Sequence, residues 1–123
     1  MRRKINVVVG KLDLEAWLNE TKTATKVFEA LPITSTVNTW GDEIYFTIPV
    51  SAGPEDAKEL VSLGDIAYWP SGKAMCIFFG KTPISRGDEI RPASAVNIIG
   101  KVEGDYRSLK KVKDGEEITI RPV

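Results

Sequence analysis

The sequence predicts a mainly β protein, a closed or nearly closed antiparallel barrel with two or three short helices. Three observations lead there. Seven or eight short stretches rich in strand-forming residues recur along the 123 residues, a pattern that belongs to sandwiches and barrels. They do not alternate with long helical stretches, as parallel βαβ architectures require. A chain of this length also supports one hydrophobic core and not two, so residues 1–123 read as a single domain.

In chain order, Ile5 to Val9 is β-branched, Gly10 punctuates it, and Lys11 to Glu15 alternates charged with apolar residues. That is an opening hairpin. From Thr23 the period changes: Ala24, Val27, Phe28 and Leu31 fall at i, i+3, i+4 and i+7. A one-faced helix follows, with Thr21 or Thr23 as its cap and Pro32 as its end. Ile44, Phe46 and Ile48 alternate with Glu43, Tyr45 and Thr47, which places the apolar trio on one strand face and the polar-capable trio on the other. Pro54, Glu55 and Asp56 suit a helix first turn, so a second helix is expected over Pro54 to Val61, ended by Gly64. Asp65 to Trp69 and Ala74 to Phe79 read as strands around a Pro70-Ser71-Gly72 turn, the second apolar on both faces and therefore covered on both. Val96 to Val102 is a further strand. Asp105 caps a short helix bearing Tyr106, Leu109 and Val112, and Ile118 to Arg121 closes the chain as a strand.

Composition excludes several chemistries. There is no histidine, which removes Ser-His-Asp and Cys-His nucleophile systems, and with a single cysteine no ordinary zinc shell can be assembled. Basic and acidic side chains balance at 17 each, whereas phosphate backbones need a basic face, so no nucleic-acid partner is expected. Arg2, Arg3 and Lys4 read as a solvated end. The apolar run Ala74 to Phe79 is far too short to span a bilayer, so no membrane segment is expected, and Cys76 reads as a buried core thiol. Lone cysteine and the absence of a signal-like apolar stretch point to a cytoplasmic protein. No metal or cofactor is expected.

Candidate binding residues are aromatic and charged. Glu43 and Tyr45 share the strand face opposite Ile44 and Phe46; Tyr68, Trp69, Phe78 and Phe79 add aromatic area, and Arg91 stands in a polar loop with Asp88 and Glu89. Aromatic surface beside a few polar groups is how small-ligand and peptide pockets are built.

Thr23 to Pro32, Trp40-Gly41-Asp42-Glu43-Ile44-Tyr45-Phe46, Gly64 to Ala74, Cys76 to Gly80 and Ala95 to Val102 together resemble the small prokaryotic cyclophilin-like family. The resemblance implies an eight-stranded antiparallel barrel closed by helices. It does not imply prolyl isomerisation. In true cyclophilins an arginine in an outer groove contacts the peptide near the prolyl nitrogen and apolar side chains hold the ring. By alignment through Gly41 that arginine falls at Val37 or Asn38, and no arginine lies between Arg3 and Arg86. The groove's methionine and glutamine fall at Glu43 and Tyr45, its phenylalanine at Phe79, its histidine at Val96, and its tryptophan near Arg91.

The resulting expectation is a non-catalytic domain. An outer groove lined by Asn38, Glu43, Tyr45, Tyr68, Trp69, Phe79 and Arg91 takes a small molecule or an extended peptide. The alternatives are a weak peptidyl-prolyl isomerase that has moved its cation to Arg91, and a subunit of a larger amide-processing assembly.

Overall fold

The structure, a computed structural model, describes residues 2–123. Gly10, at φ +58°, turns the chain within two residues. Strand β1 (Arg3–Val9) therefore pairs antiparallel with β2 (Leu12–Leu18), Val9 opposite Leu12. Ile5, Val7, Val9, Leu14, Ala16 and Leu18 alternate inward and are buried.

Seven further strands follow: β3 (Ile33–Thr36), β4 (Asn38–Thr39), β5 (Glu43–Thr47), β6 (Asp65–Trp69), β7 (Ala74–Phe78), β8 (Asn97–Val102) and β9 (Glu117–Pro122). They join the hairpin in one antiparallel sheet of order β3-β9-β1-β2-β8-β6-β7-β5-β4. The two edges, β3 and β4, are neighbours in the chain with only buried Val37 between them. The sheet therefore curls until one bent segment serves both edges, giving a nearly closed barrel. Counted as a single stave, β3 and β4 bring the number to eight. Their run of hydroxyl residues carries no alternation, so these edge strands are missing from the sequence-based expectation and form because β9 and β5 offer partners.

One α-helix, α1 (Lys22–Glu29), is capped by Thr21, whose hydroxyl accepts from the Ala24 N–H at 3.2 Å. The second helix expected over Pro54 to Val61 does not form. Glu55 turns its carboxylate onto the start of α1, accepting the Lys22 N–H at 3.1 Å, the Thr23 N–H at 2.8 Å and the Thr23 hydroxyl at 2.7 Å. An acidic residue is favoured at a helix N-terminus whichever segment supplies it, and here the helix is α1. Asp56 then sits at φ +49°, outside helical geometry, and Lys58 and Val61 form isolated bridges with Val96 and Ile90. Short 3-10 segments cover Pro70–Gly72 and Tyr106–Lys111, the latter capped by the Asp105 carboxylate accepting from the Arg107 N–H.

The main core fills the barrel, with Phe46, Ile66, Tyr68, Met75, Ile77 and Ile99 fully buried at its centre. A second cluster of Ala67, Cys76, Phe78, Ile90 and Val96 lies on the outer face of β6 and β7. It is covered by the chain around Val61 and by the 80–96 loop, which explains why all five residues of β7 are buried. Among the described residues, no helix is long and apolar enough to cross a membrane.

Candidate functional site

The outer cluster is not filled completely. A cavity of about 230 Å³ opens beside it, lined by Trp40, Glu43, Tyr45, Trp69, Cys76, Pro92, Ala93 and Val96. Each wall follows from local structure. The turn between β4 and β5 is closed by the Trp40 N–H donating to the Glu43 carbonyl at 2.9 Å, which sets those two side chains at one end of the strand pair. Gly41 makes the turn possible: it sits at φ +61°, and a Cβ there would meet the Lys81 carbonyl oxygen at 2.8 Å. Two residues on, Tyr45 faces the same way as Glu43, and its partner across the ladder is Cys76.

Trp69 ends β6 on the outer side, its indole N–H donating to the Ser94 hydroxyl at 2.6 Å. Its ring lies over Gly72, where a Cβ would collide with it. The Tyr45 and Trp69 rings meet edge to face, with centroids 6.0 Å apart and planes at 82°. The loop supplying Pro92 and Ala93 is tied down by Ser85, whose hydroxyl accepts from the Thr82 N–H at 3.0 Å and the Arg91 N–H at 3.1 Å.

The one carboxyl in this apolar setting is Glu43. It is only 5% exposed, and its Oε1 has no hydrogen-bond partner among the described residues. Burial pushes its pKa from the ordinary 4.5 up to about 7, opposed only by the neighbouring Cys76 thiol. Burial, and next the neighbouring Glu43 charge, hold the thiol well above 9.0, so Cys76 is protonated at neutral pH and is no nucleophile. No Lys or Arg lines the cavity. Among the described residues, no three His, Cys, Asp or Glu side chains gather so as to hold a metal ion. The arrangement offers an aromatic, apolar recess with one carboxyl in its wall.

Of the residues expected to line the groove, Glu43, Tyr45 and Trp69 meet in this cavity. Tyr68 and Phe79 do not, and the expectation is corrected for both. Strand alternation sends Tyr68 into the barrel, where its hydroxyl donates to the Val50 carbonyl at 2.7 Å, and sends Phe79 into the same core; the outward phenylalanine is Phe78. Val37, one of the two positions matched to the cyclophilin arginine, is likewise inside. Asn38 is exposed on β4, opposite Tyr45. Arg91 lies over a neighbouring depression that shares Pro92 and Ala93 with the cavity, and its guanidinium is held by Glu89 at 2.8 and 3.3 Å. Trp40, Pro92 and Ala93 escape sequence reasoning, as does the exposure of Cys76 to a cavity. Only Trp40 carries a signal, a large aromatic residue immediately before a turn glycine.

Comparison with known proteins supplies the lineage. The family model described as Cyclophilin-like matches residues 3–121. The chain belongs to the cyclophilin-like family. The solution structure of the hypothetical protein AF2241 from Archaeoglobus fulgidus is 45% identical, superposes with a TM-score of 0.83, and the match covers 99% of this chain and 95% of that one. The structure of McbB in complex with tryptophan is 12% identical with a TM-score of 0.64, the match covering 96% of this chain and 44% of McbB, and shows the fold alone. No curated protein matches. The cyclophilin-like barrel is thus the shared frame.

Proposed function

We propose that this cyclophilin-like domain is a binding module whose outer cavity takes a small molecule, or one side chain of an extended peptide, without catalysing prolyl isomerisation. The observation that carries the reading is the pairing of three aromatic side chains, Trp40, Tyr45 and Trp69, with a buried carboxyl whose Oε1 lacks a partner. Aromatic walls supply contact area at low entropic cost, and an acceptor left dry favours a ligand able to donate to it. A cavity of about 230 Å³ has room for one ring system; engineered apolar cavities of roughly 150 Å³ already hold benzene. Against rotamase chemistry stands the absence of any guanidinium in the cavity lining. A donor near the prolyl nitrogen is how true cyclophilins weaken amide resonance against a barrier of about 18–20 kcal/mol.

A ring-containing fragment library screened by chemical-shift mapping tests the proposal. Fragments that shift resonances of Trp40, Tyr45 and Trp69 are expected, with Tyr45→Ala and Trp69→Ala each weakening them at least about tenfold, near 1.4 kcal/mol. Hits that map elsewhere, or that bind both variants as well as the wild type, would remove the cavity from consideration. A protease-coupled prolyl assay is expected to show no rate above background; a measurable rate lost in Arg91→Ala would restore the isomerase reading.

A further inference from the structure

We propose that the occupant of this cavity is a small organic ammonium ion with at least one N–H, its nitrogen on the Glu43 carboxylate and its charge over the rings of Trp40, Tyr45 and Trp69. The inference deepens the binding reading above and rests on it. Four features select this chemistry. Glu43 Oε1 is buried and unpartnered among the described residues, so it calls for a donor. The cavity contains no lysine or arginine, which leaves an anionic ligand without a counter-charge and the carboxylate without an internal one. Three aromatic rings, Trp40, Tyr45 and Trp69, line the cavity, and aromatic faces attract cations, most strongly once water is excluded. An uncharged apolar ring would fill the volume and leave Oε1 dry, whereas an ammonium group satisfies the oxygen and the rings together.

Binding such a cation is coupled to ionisation of Glu43. The titratable groups facing that carboxyl in the cavity are Tyr45 on its own strand and Cys76 on β7; β6 and the 80–96 loop contribute none to the lining. Asp42, beside it in the turn, is directed toward Lys110 at 3.9 Å. With burial holding the Glu43 proton up to about pH 7, a cation must displace that proton below neutrality and meets a ready carboxylate above it.

The test uses the full chain, titrated by NMR with three probes sharing one ring: benzylammonium, benzyl alcohol and benzoate. At about pH 8, benzylammonium is expected to bind at least about tenfold more tightly than the alcohol, with benzoate weakest. Lowering the pH to about 5.5 should weaken the ammonium at least about tenfold and leave the alcohol unchanged. Glu43→Gln, a neutral isostere, should bring ammonium and alcohol within about threefold of each other while retaining the folded spectrum. Nα-acetyllysine amide, its ε-ammonium left free, forms a further arm: tighter than benzylammonium, it identifies a peptide side chain as the source of the cation; weaker, a free amine. Alcohol binding as tightly as ammonium, or a preference that survives in Glu43→Gln, overturns the proposal while the cavity reading stands. If none of the three probes shifts the cavity resonances while other ring fragments do, this proposal falls and the cavity reading stands; if no ring fragment does, both fall.

Discussion

Glu43 is where the physical chemistry of single residues is most exposed in this molecule. Its carboxyl titrates near 4.5 when solvated and near 7 when folded, because burial disfavours the charged form. Between those two values the folded state holds a proton that the unfolded state has released, so stability falls as pH rises through that window and levels off above it. At about 1.4 kcal/mol per unit, charging Glu43 in the folded protein costs roughly 3 kcal/mol. Urea unfolding of wild type and Glu43→Gln at about pH 4.5 and about pH 8 checks this: the wild type is expected to lose about 2–3 kcal/mol more than the variant over that interval. Parallel losses would show a carboxyl that titrates as if in water. Glu55 provides the opposite sign. Hydrogen bonds from the Thr23 hydroxyl and N–H and from the Lys22 N–H lower its pKa, so its contribution is present above the ordinary carboxylate range and fades as pH falls.

At the scale of elements, the segments that make the site are the irregular ones. α1 begins at the Thr21 cap, and Thr21→Ala is expected to cost about 1 kcal/mol in urea unfolding, with the cavity resonances unmoved. The β4 to β5 turn behaves differently. Gly41→Ala forces a side chain into left-handed backbone and against the Lys81 carbonyl, at a cost of at least about 1–2 kcal/mol. Because Trp40 and Glu43 flank that turn, the same variant should also shift the cavity resonances of both and weaken any ring probe. A Gly41→Ala protein with wild-type stability would mean that the turn adjusts freely, contrary to its packing against the 80–96 loop.

For the molecule as a whole, the barrel interior and its outer face divide the labour between folding and binding. Phe46 is fully buried inside and Phe46→Ala is expected to cost about 3–5 kcal/mol with a single cooperative transition. Trp69, half-buried on the outside, should cost far less when replaced by Ala, yet its loss should abolish ring binding. Equal destabilisation by the two substitutions would deny the division.

By sequence alone the chain declares its class, its opening hairpin, α1 and the strands through Phe46, Tyr68, Ile77 and Ile99, because alternation and capping are local properties recorded residue by residue. The same local patterns identify Glu43 and Tyr45 as sharing one face and place Ile44 and Phe46 on the other. They leave open whether that polar face meets water or cover. Tertiary structure alone decided this: Trp40 and the Pro92 and Ala93 of the 80–96 loop gather around that face, and Glu43 is buried there. It also decided the fate of Glu55, which sequence assigns to a helix of its own and which the fold turns onto the helix that lies beside it, 32 residues away at Thr23. Periodicity speaks for the strand that carries a residue, while burial and partners depend on whichever distant segment comes to rest upon it.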